Sequence, residues 1–122
     1  MQDNVGIVRA QSERESALKM IGTLKQRAAK AAVKGNREYN PGWHTALDLG
    51  NLLTVSEAVA RCAIERKESR GGHFRDDYPD KDPEYAKFNF VIRKGRDGEM
   101  QILREPIPPM PDHLKAIIEE MK

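Results

Sequence analysis

The residue types that could do chemistry crowd into positions 65–79. Cations stand at Arg66, Lys67, Arg70 and Arg75, a glycine pair at Gly71 and Gly72, an imidazole at His73, and carboxylates at Glu68, Asp76 and Asp77, continued by Asp80 and Asp82. Guanidinium groups beside carboxylates make charge-assisted, two-pronged hydrogen bonds, the chemistry of holding rather than of bond breaking. Two readings stay open on spacing alone. The charges form a solvated ion-pair network at a helix end, or they grip the carboxylates and carbonyls of another domain. The residues expected at such a contact are Arg66, Glu68, Ser69, Arg70, Gly71, His73 and Arg75.

Other reactive side chains lack company. His44, His73 and His113 fall on three different predicted elements, in neither the HxxxH nor the HxH spacing that places two imidazoles on one metal. Cys62 lies within an apolar helical pattern with nothing beside it in sequence to lower its pKa, so it reads as a small buried residue in a reducing compartment. Gly71 and Gly72 follow a helix, where glycine ends helices, and not a strand, where it would open a phosphate loop. His44 and Asp48, four apart, read as a solvated hydrogen bond. No residue is assigned a catalytic, cofactor-binding or metal-ligating role.

Those residues must be positioned by elements that the pattern predicts in order. Ser12 and Glu15 fit a capping box, and Ala17, Leu18, Ile21, Leu24, Ala28, Ala31 and Ala32 form one stripe, predicting a helix that Gly35 closes. Asn40 and Pro41 restart a helix as N-cap and first residue. Its stripe runs through Trp43, Leu47, Leu52, Val55, Val59, Cys62 and Ala63. Gly50 and a second capping box at Thr54 and Glu57 predict two segments, 41–51 and 54–69, ending at Gly71 and Gly72. With the first helix these make an antiparallel three-helix bundle, spectrin-like, over 11–71.

The second half, 72–122, is predicted as a loop, a hairpin and a terminal helix. Positions 76–84 are acidic and proline-punctuated. Phe88 to Arg93 and Met100 to Arg104 are strand formers around an Asp97-Gly98 turn, a small β-hairpin. Prolines 106, 108, 109 and 111 keep the chain extended before a helix over 112–121 with Leu114, Ile117, Ile118 and Met121 on one face. The fold expected is mainly α, a single domain over 1–122.

Composition excludes several function classes. A net charge of +2, from 21 basic and 19 acidic residues, gives no global field for nucleic acid or anionic lipid. No apolar run approaches the roughly 20 residues that span a bilayer, so no direct membrane insertion is expected. With 39% hydrophobic and 33% charged residues, the core should be thin and the domain should lean on something larger.

Several segments together resemble a known family: Asn36 to Asn40, Trp43 to Leu53, Ser56-Glu57-Ala58 and above all Arg66-Lys67-Glu68-Ser69-Arg70-Gly71-Gly72-His73-Phe74-Arg75-Asp76-Asp77. They are similar to the C-terminal domain of the flavoprotein subunit of succinate dehydrogenase and fumarate reductase, in a superfamily that includes L-aspartate oxidase. The Pro108-Pro109-Met110-Pro111 tail resembles the prokaryotic succinate dehydrogenase type. Met1 to Gly6 resembles the helix that enters this domain, so the chain is expected to be a piece of a longer subunit.

The resemblance implies a structural and docking role. The parent would interconvert succinate and fumarate with FAD and pass electrons through an iron–sulfur subunit to quinone, on the cytoplasmic face of the prokaryotic inner membrane. The family's flavin and dicarboxylate residues match no position here, so this piece is expected to be inactive and to hold no cofactor. Its implied partners are the iron–sulfur subunit of the complex and the N-terminal FAD-binding part of the same polypeptide. Alone, it is expected to dimerise through the face it normally buries. The alternatives are the same domain of an L-aspartate oxidase and a free-standing helical interaction module.

Overall fold

The computed structural model describes residues 5–9 and 11–121. A two-residue strand, β1 (Val8–Arg9), leads into helix α1 (Gln11–Ala28), and a long connection leads to helix α2 (Pro41–Glu65). A second short strand, β2 (Phe74–Arg75), pairs in parallel with β1. A 3-10 turn (Pro83–Ala86) precedes the antiparallel hairpin of β3 (Phe88–Lys94) and β4 (Met100–Pro106), and helix α3 (Asp112–Glu120) follows. Val5 and Gly6 lie in bends, while positions 1–4, where an incoming helix was expected, fall outside the described residues.

The two expected segments of the second helix are one continuous helix. Glycine in a helix interior costs only about 1 kcal/mol, and 25 residues absorb Gly50 easily. The presumed second capping box is otherwise engaged. The Thr54 hydroxyl donates back to the Gly50 carbonyl at 2.9 Å, and Glu57 pairs with Lys25 and Arg61. The packed unit is therefore two antiparallel helices, and the described residues do not form a three-helix, spectrin-like bundle. Ala17 and Ile21 meet Ala60 and Ala63 at one end, Lys25 reaches Glu57 midway, and Leu24 and Ala28 face Leu49 and Leu53 at the other.

The face of α2 that is buried differs from the stripe expected. Ala46, Leu49, Leu53, Ser56, Ala60 and Ala63, spaced alternately by three and four, form the less exposed row of α2, and Leu49, Leu53, Ala60 and Ala63 of it meet α1, with Leu53, Ala60 and Ala63 buried. Leu47, Leu52, Val55 and Val59 are exposed. Both rows have helical period, so α2 is apolar on two sides. One helix covers one side, and the alanine row admits the closer approach.

α1 also ends earlier than expected. Its last turn tightens, with the Lys30 N–H on the Arg27 carbonyl and the Ala31 N–H on that of Ala28, and 31–34 is irregular. Asn40 organises the connection instead. Its side-chain amide donates to the Lys34 and Asn36 carbonyls at 3.0 and 2.9 Å, and its oxygen accepts from the Gly42 N–H that opens α2. Gly35 has the left-handed backbone (φ +94°) expected of it, but within the loop.

The hairpin forms as read. Phe88 lies opposite Pro106 and Lys94 opposite Met100, around a turn in which Gly98 takes φ +85° and the Asp97 carboxylate accepts the Glu99 N–H. An aromatic cluster joins it to the end of α2. Arg66 stacks over Phe90 and Arg104 over Phe88, at 5.3 and 5.0 Å from the ring centroids, and the Tyr85 hydroxyl donates to the Glu65 carbonyl.

Candidate docking loop

The charged segment after α2 is built around a helix end that needs donors. α2 stops at Glu65, short of the expected 69, and an ending helix leaves its last carbonyls without partners. Arg75, fully buried, supplies them. Its guanidinium donates to the Ile64 and Arg66 carbonyls at 3.0 Å each and to that of Ala63 at 3.4 Å. His73 Nε2 sits 3.2 Å from the same Arg66 carbonyl. The other edge of Arg75 grips Asp77 through both nitrogens and lies over the Tyr78 ring at 4.7 Å.

Ser69 closes the loop. Its hydroxyl accepts the Arg75 N–H at 2.8 Å and contacts the Tyr78 carbonyl at 2.8 Å. Glu68, buried, accepts from Arg66, from Arg70 and from the Asp82 N–H. Gly71 takes φ +59° at the tip of a tight turn in which Arg70 and His73 exchange both backbone hydrogen bonds. The Phe74 N–H then bonds the Ile7 carbonyl, so the loop holds the strand that leads into α1.

Electrostatics follow the same geometry. Burial pushes the Glu68 carboxyl up, but the bonds from Arg70, the Asp82 N–H and Arg66 outweigh it, and its pKa is lowered. Asp77 is lowered chiefly by its bond to Arg75, against some burial. At Glu57 burial raises and the Lys25 and Arg61 bonds lower, with lowering the outcome. These carboxylates are held ionised as structural anions. Burial raises the Cys62 thiol, partly offset by Arg66, so the protonated form prevails where it lines a cleft of about 450 Å³ with Val59, His73 and Phe90.

The structure thus divides the seven expected contact residues. Glu68, Ser69 and Arg75 are buried and spend their polar atoms within the loop, while Arg66, Arg70, Gly71 and His73 keep accessible surface. Arg70, Gly71, His73, the exposed Phe74 and Lys81 line a shallow surface cleft of about 510 Å³. Sequence reasoning missed Arg14, fully buried with its guanidinium 3.7 Å from Asp77. A cation at position 14 in register with Ala17, Leu18 and Ile21 was the available signal. His44, packed edge-on to Trp43, and His113 on α3 join neither the loop nor each other.

The described residues hold no strand-to-helix phosphate turn of the kind that cradles a dinucleotide. Among them the parallel strand pairing is two residues long, and the Gly71 turn is sealed by the reciprocal Arg70 and His73 bonds rather than opened toward a phosphate. Among the described residues no group of three or more His, Cys, Asp or Glu side chains could hold a metal ion, and no helix is long and apolar enough to cross a membrane.

Comparison with known proteins matches this architecture. A solved chain titled Mycobacterium smegmatis Sdh1 in complex with UQ1 superposes with a TM-score of 0.85 at 41% identity, over 99% of this chain and 21% of that one. One subunit of the fumarate reductase (CoM/CoB) of Methanothermobacter marburgensis is 36% identical over 94 residues, 77% of this chain and 17% of its own. The L-aspartate oxidase of Yersinia pestis is 45% identical over 80 residues, 66% of this chain and 14% of its own. The chain therefore spans about a seventh to a fifth of these relatives. With residues 1–115 matching the family described as fumarate reductase flavoprotein C-term, this chain belongs to that family.

Proposed function

We propose that the chain is the docking domain of a flavoprotein subunit that interconverts succinate and fumarate, with FAD and the dicarboxylate held by the part upstream. Electrons would pass from the flavin to an iron–sulfur subunit, then to quinone, and the whole flavoprotein would lie peripherally on the cytoplasmic face of the membrane. The observation that carries this reading is the likeness to the Sdh1 chain across 99% of these residues. What supports a docking role is the division of labour in the loop. Its buried half fixes the end of α2 and the incoming strand, and Arg66, Arg70, Gly71 and His73 are left to face the upstream part. The exposed Leu52, Val55 and Val59 offer a second apolar contact.

The test is to purify the 122 residues and the parent flavoprotein side by side. The short chain should be colourless and transfer no electrons from succinate to a dye, whereas the parent should be coloured and reduce the dye until this domain is deleted. Stoichiometric flavin in the short chain would overturn the reading. The identity to an L-aspartate oxidase favours one alternative, in which the parent oxidises L-aspartate instead. The same dye assay with L-aspartate decides it. Sedimentation of the short chain tests whether it dimerises through the outer row of α2.

A further inference from the structure

The helix pair does not complete its own core. Where α1 begins and α2 finishes, the buried apolar cluster holds Ala17, Ile21, Ala60 and Ala63, and its fifth member is Val5, 7% exposed, from the segment before α1. Three of the four helical members are alanines with one methyl group each, so a side chain from outside the pair fills the space between them. Past Val5, backbone bonds reach β2. Ile7 is exposed, its carbonyl takes the Phe74 N–H at 3.1 Å, and Val8 and Arg9 pair with Phe74 and Arg75. A parallel ladder of two residues is weak by itself, so its hold on β2 depends on Val5 staying seated.

The two residues of β2 differ in what else holds them. Arg75 is buried, its guanidinium bonds the end of α2 and Asp77, its N–H bonds the Ser69 hydroxyl, and Asp77 lies 3.7 Å from Arg14 of α1. Those anchors remain without β1. Phe74, 40% exposed, has its N–H on the entry segment instead, and it shares the shallow cleft with Arg70, Gly71 and His73. Side chains tie the flanks of this tip, Arg70 to Glu68 and the Asp82 carbonyl, and the His73 ring to the Arg66 carbonyl. Between them the backbone turns through Gly71 at φ +59° on the reciprocal Arg70 and His73 bonds, and it continues directly into Phe74. The position of Phe74, and the closure of the turn before it, therefore depend on β1.

We propose that residues 5–9 are a latch on the docking surface: with Val5 seated, β1 holds Phe74 and the turn before it in the shape presented to the upstream part, and when Val5 leaves, that tip loosens while Arg75 keeps the end of α2. The latch makes the joint that leads in from the upstream part also set the surface on which the two meet, which rests on reading this chain as a docking domain. Amide exchange followed by NMR in the 122 residues tests it at single sites. The Phe74 and His73 N–H groups should exchange about 10-fold or more faster than those of Arg75 and Ser69. Their rates should stay nearly level in urea well below the unfolding midpoint, where the other two climb, because opening the latch exposes little surface. Val5→Ala removes two buried methyl groups and should speed Phe74 and His73 alike by about 10-fold. One rate and one urea dependence shared by all four amides would overturn the latch without any variant, and so would a Val5→Ala chain in which either tip amide keeps its rate. In the parent flavoprotein, exchange over 70–75 followed by mass spectrometry should be slower than in the 122 residues, and equal rates there would overturn the docking reading rather than the latch.

Discussion

Replacing Arg75 by Met keeps its bulk and apolar stem but removes the guanidinium that ends α2. The side chain is fully buried, so water cannot take over its role at the Ala63 and Ile64 carbonyls. Breaking a buried ion pair by deleting one partner costs about 3–5 kcal/mol. Asp77 is one-third exposed and can be rehydrated, and the Arg66 carbonyl keeps His73, so the lower end applies, about 3 kcal/mol. For a chain of this size that lowers the melting temperature by roughly 10 °C. Urea titration followed by circular dichroism at 222 nm measures it directly. Arg75→Lys should recover only part of the loss, because one ammonium cannot serve the carbonyls and both carboxylate oxygens together. Pairing Arg75→Met with Asp77→Asn in a double-mutant cycle should show coupling of about 1–2 kcal/mol. If Arg75→Met unfolds within about 0.5 kcal/mol of the unaltered chain, the guanidinium is not what holds the helix end, and the account of the loop fails.

The lowered carboxylates set a pH dependence. Glu57, Glu68 and Asp77 hold folded-state pKa values below their unfolded ones, so their contribution is complete above the ordinary carboxylate range of about 4 and is lost as pH falls through the folded values. Urea midpoints should be level between about pH 6 and 7.5 and drop steeply below pH 4, less steeply in Glu57→Gln. At the seam, Ala60→Leu should overpack against α1 and cost about 1–3 kcal/mol, whereas Val55→Gln on the outer row should stay within about 0.5 kcal/mol by the same titration. Gly71→Ala, at φ +59° with open space around it, should cost about 1 kcal/mol through its backbone alone, and Gly72→Ala, equally unhindered, should be close to neutral. In the parent flavoprotein, Arg70→Ala or His73→Ala should lower thermal stability and leave the Michaelis constant for succinate nearly unchanged; the opposite pattern would remove both from the docking surface.

Local signals carried a good share of this protein. The hairpin was legible because strand formers on both sides of Asp97-Gly98 specify the register by themselves. Asn40 and Pro41 marked the start of α2, and the run from Arg66 to Asp77 marked the family. What sequence could not settle were choices made by neighbours. Two rows on α2 have helical period, and only the packing of Ala17 and Ile21 of α1 with Ala60 and Ala63 decides that the alanine row is inside and Leu52, Val55 and Val59 outside. Gly50 resembled a break, but a residue cost near 1 kcal/mol is small beside the packing of a long seam. In the loop, charge spacing revealed a cluster of cations without showing which way each points. Arg75 turns inward because a helix that ends at Glu65 exposes carbonyls that its guanidinium reaches, Ser69 and Glu68 turn inward to accept the Arg75 and Asp82 N–H groups, and Arg66, Arg70, Gly71 and His73 keep accessible surface.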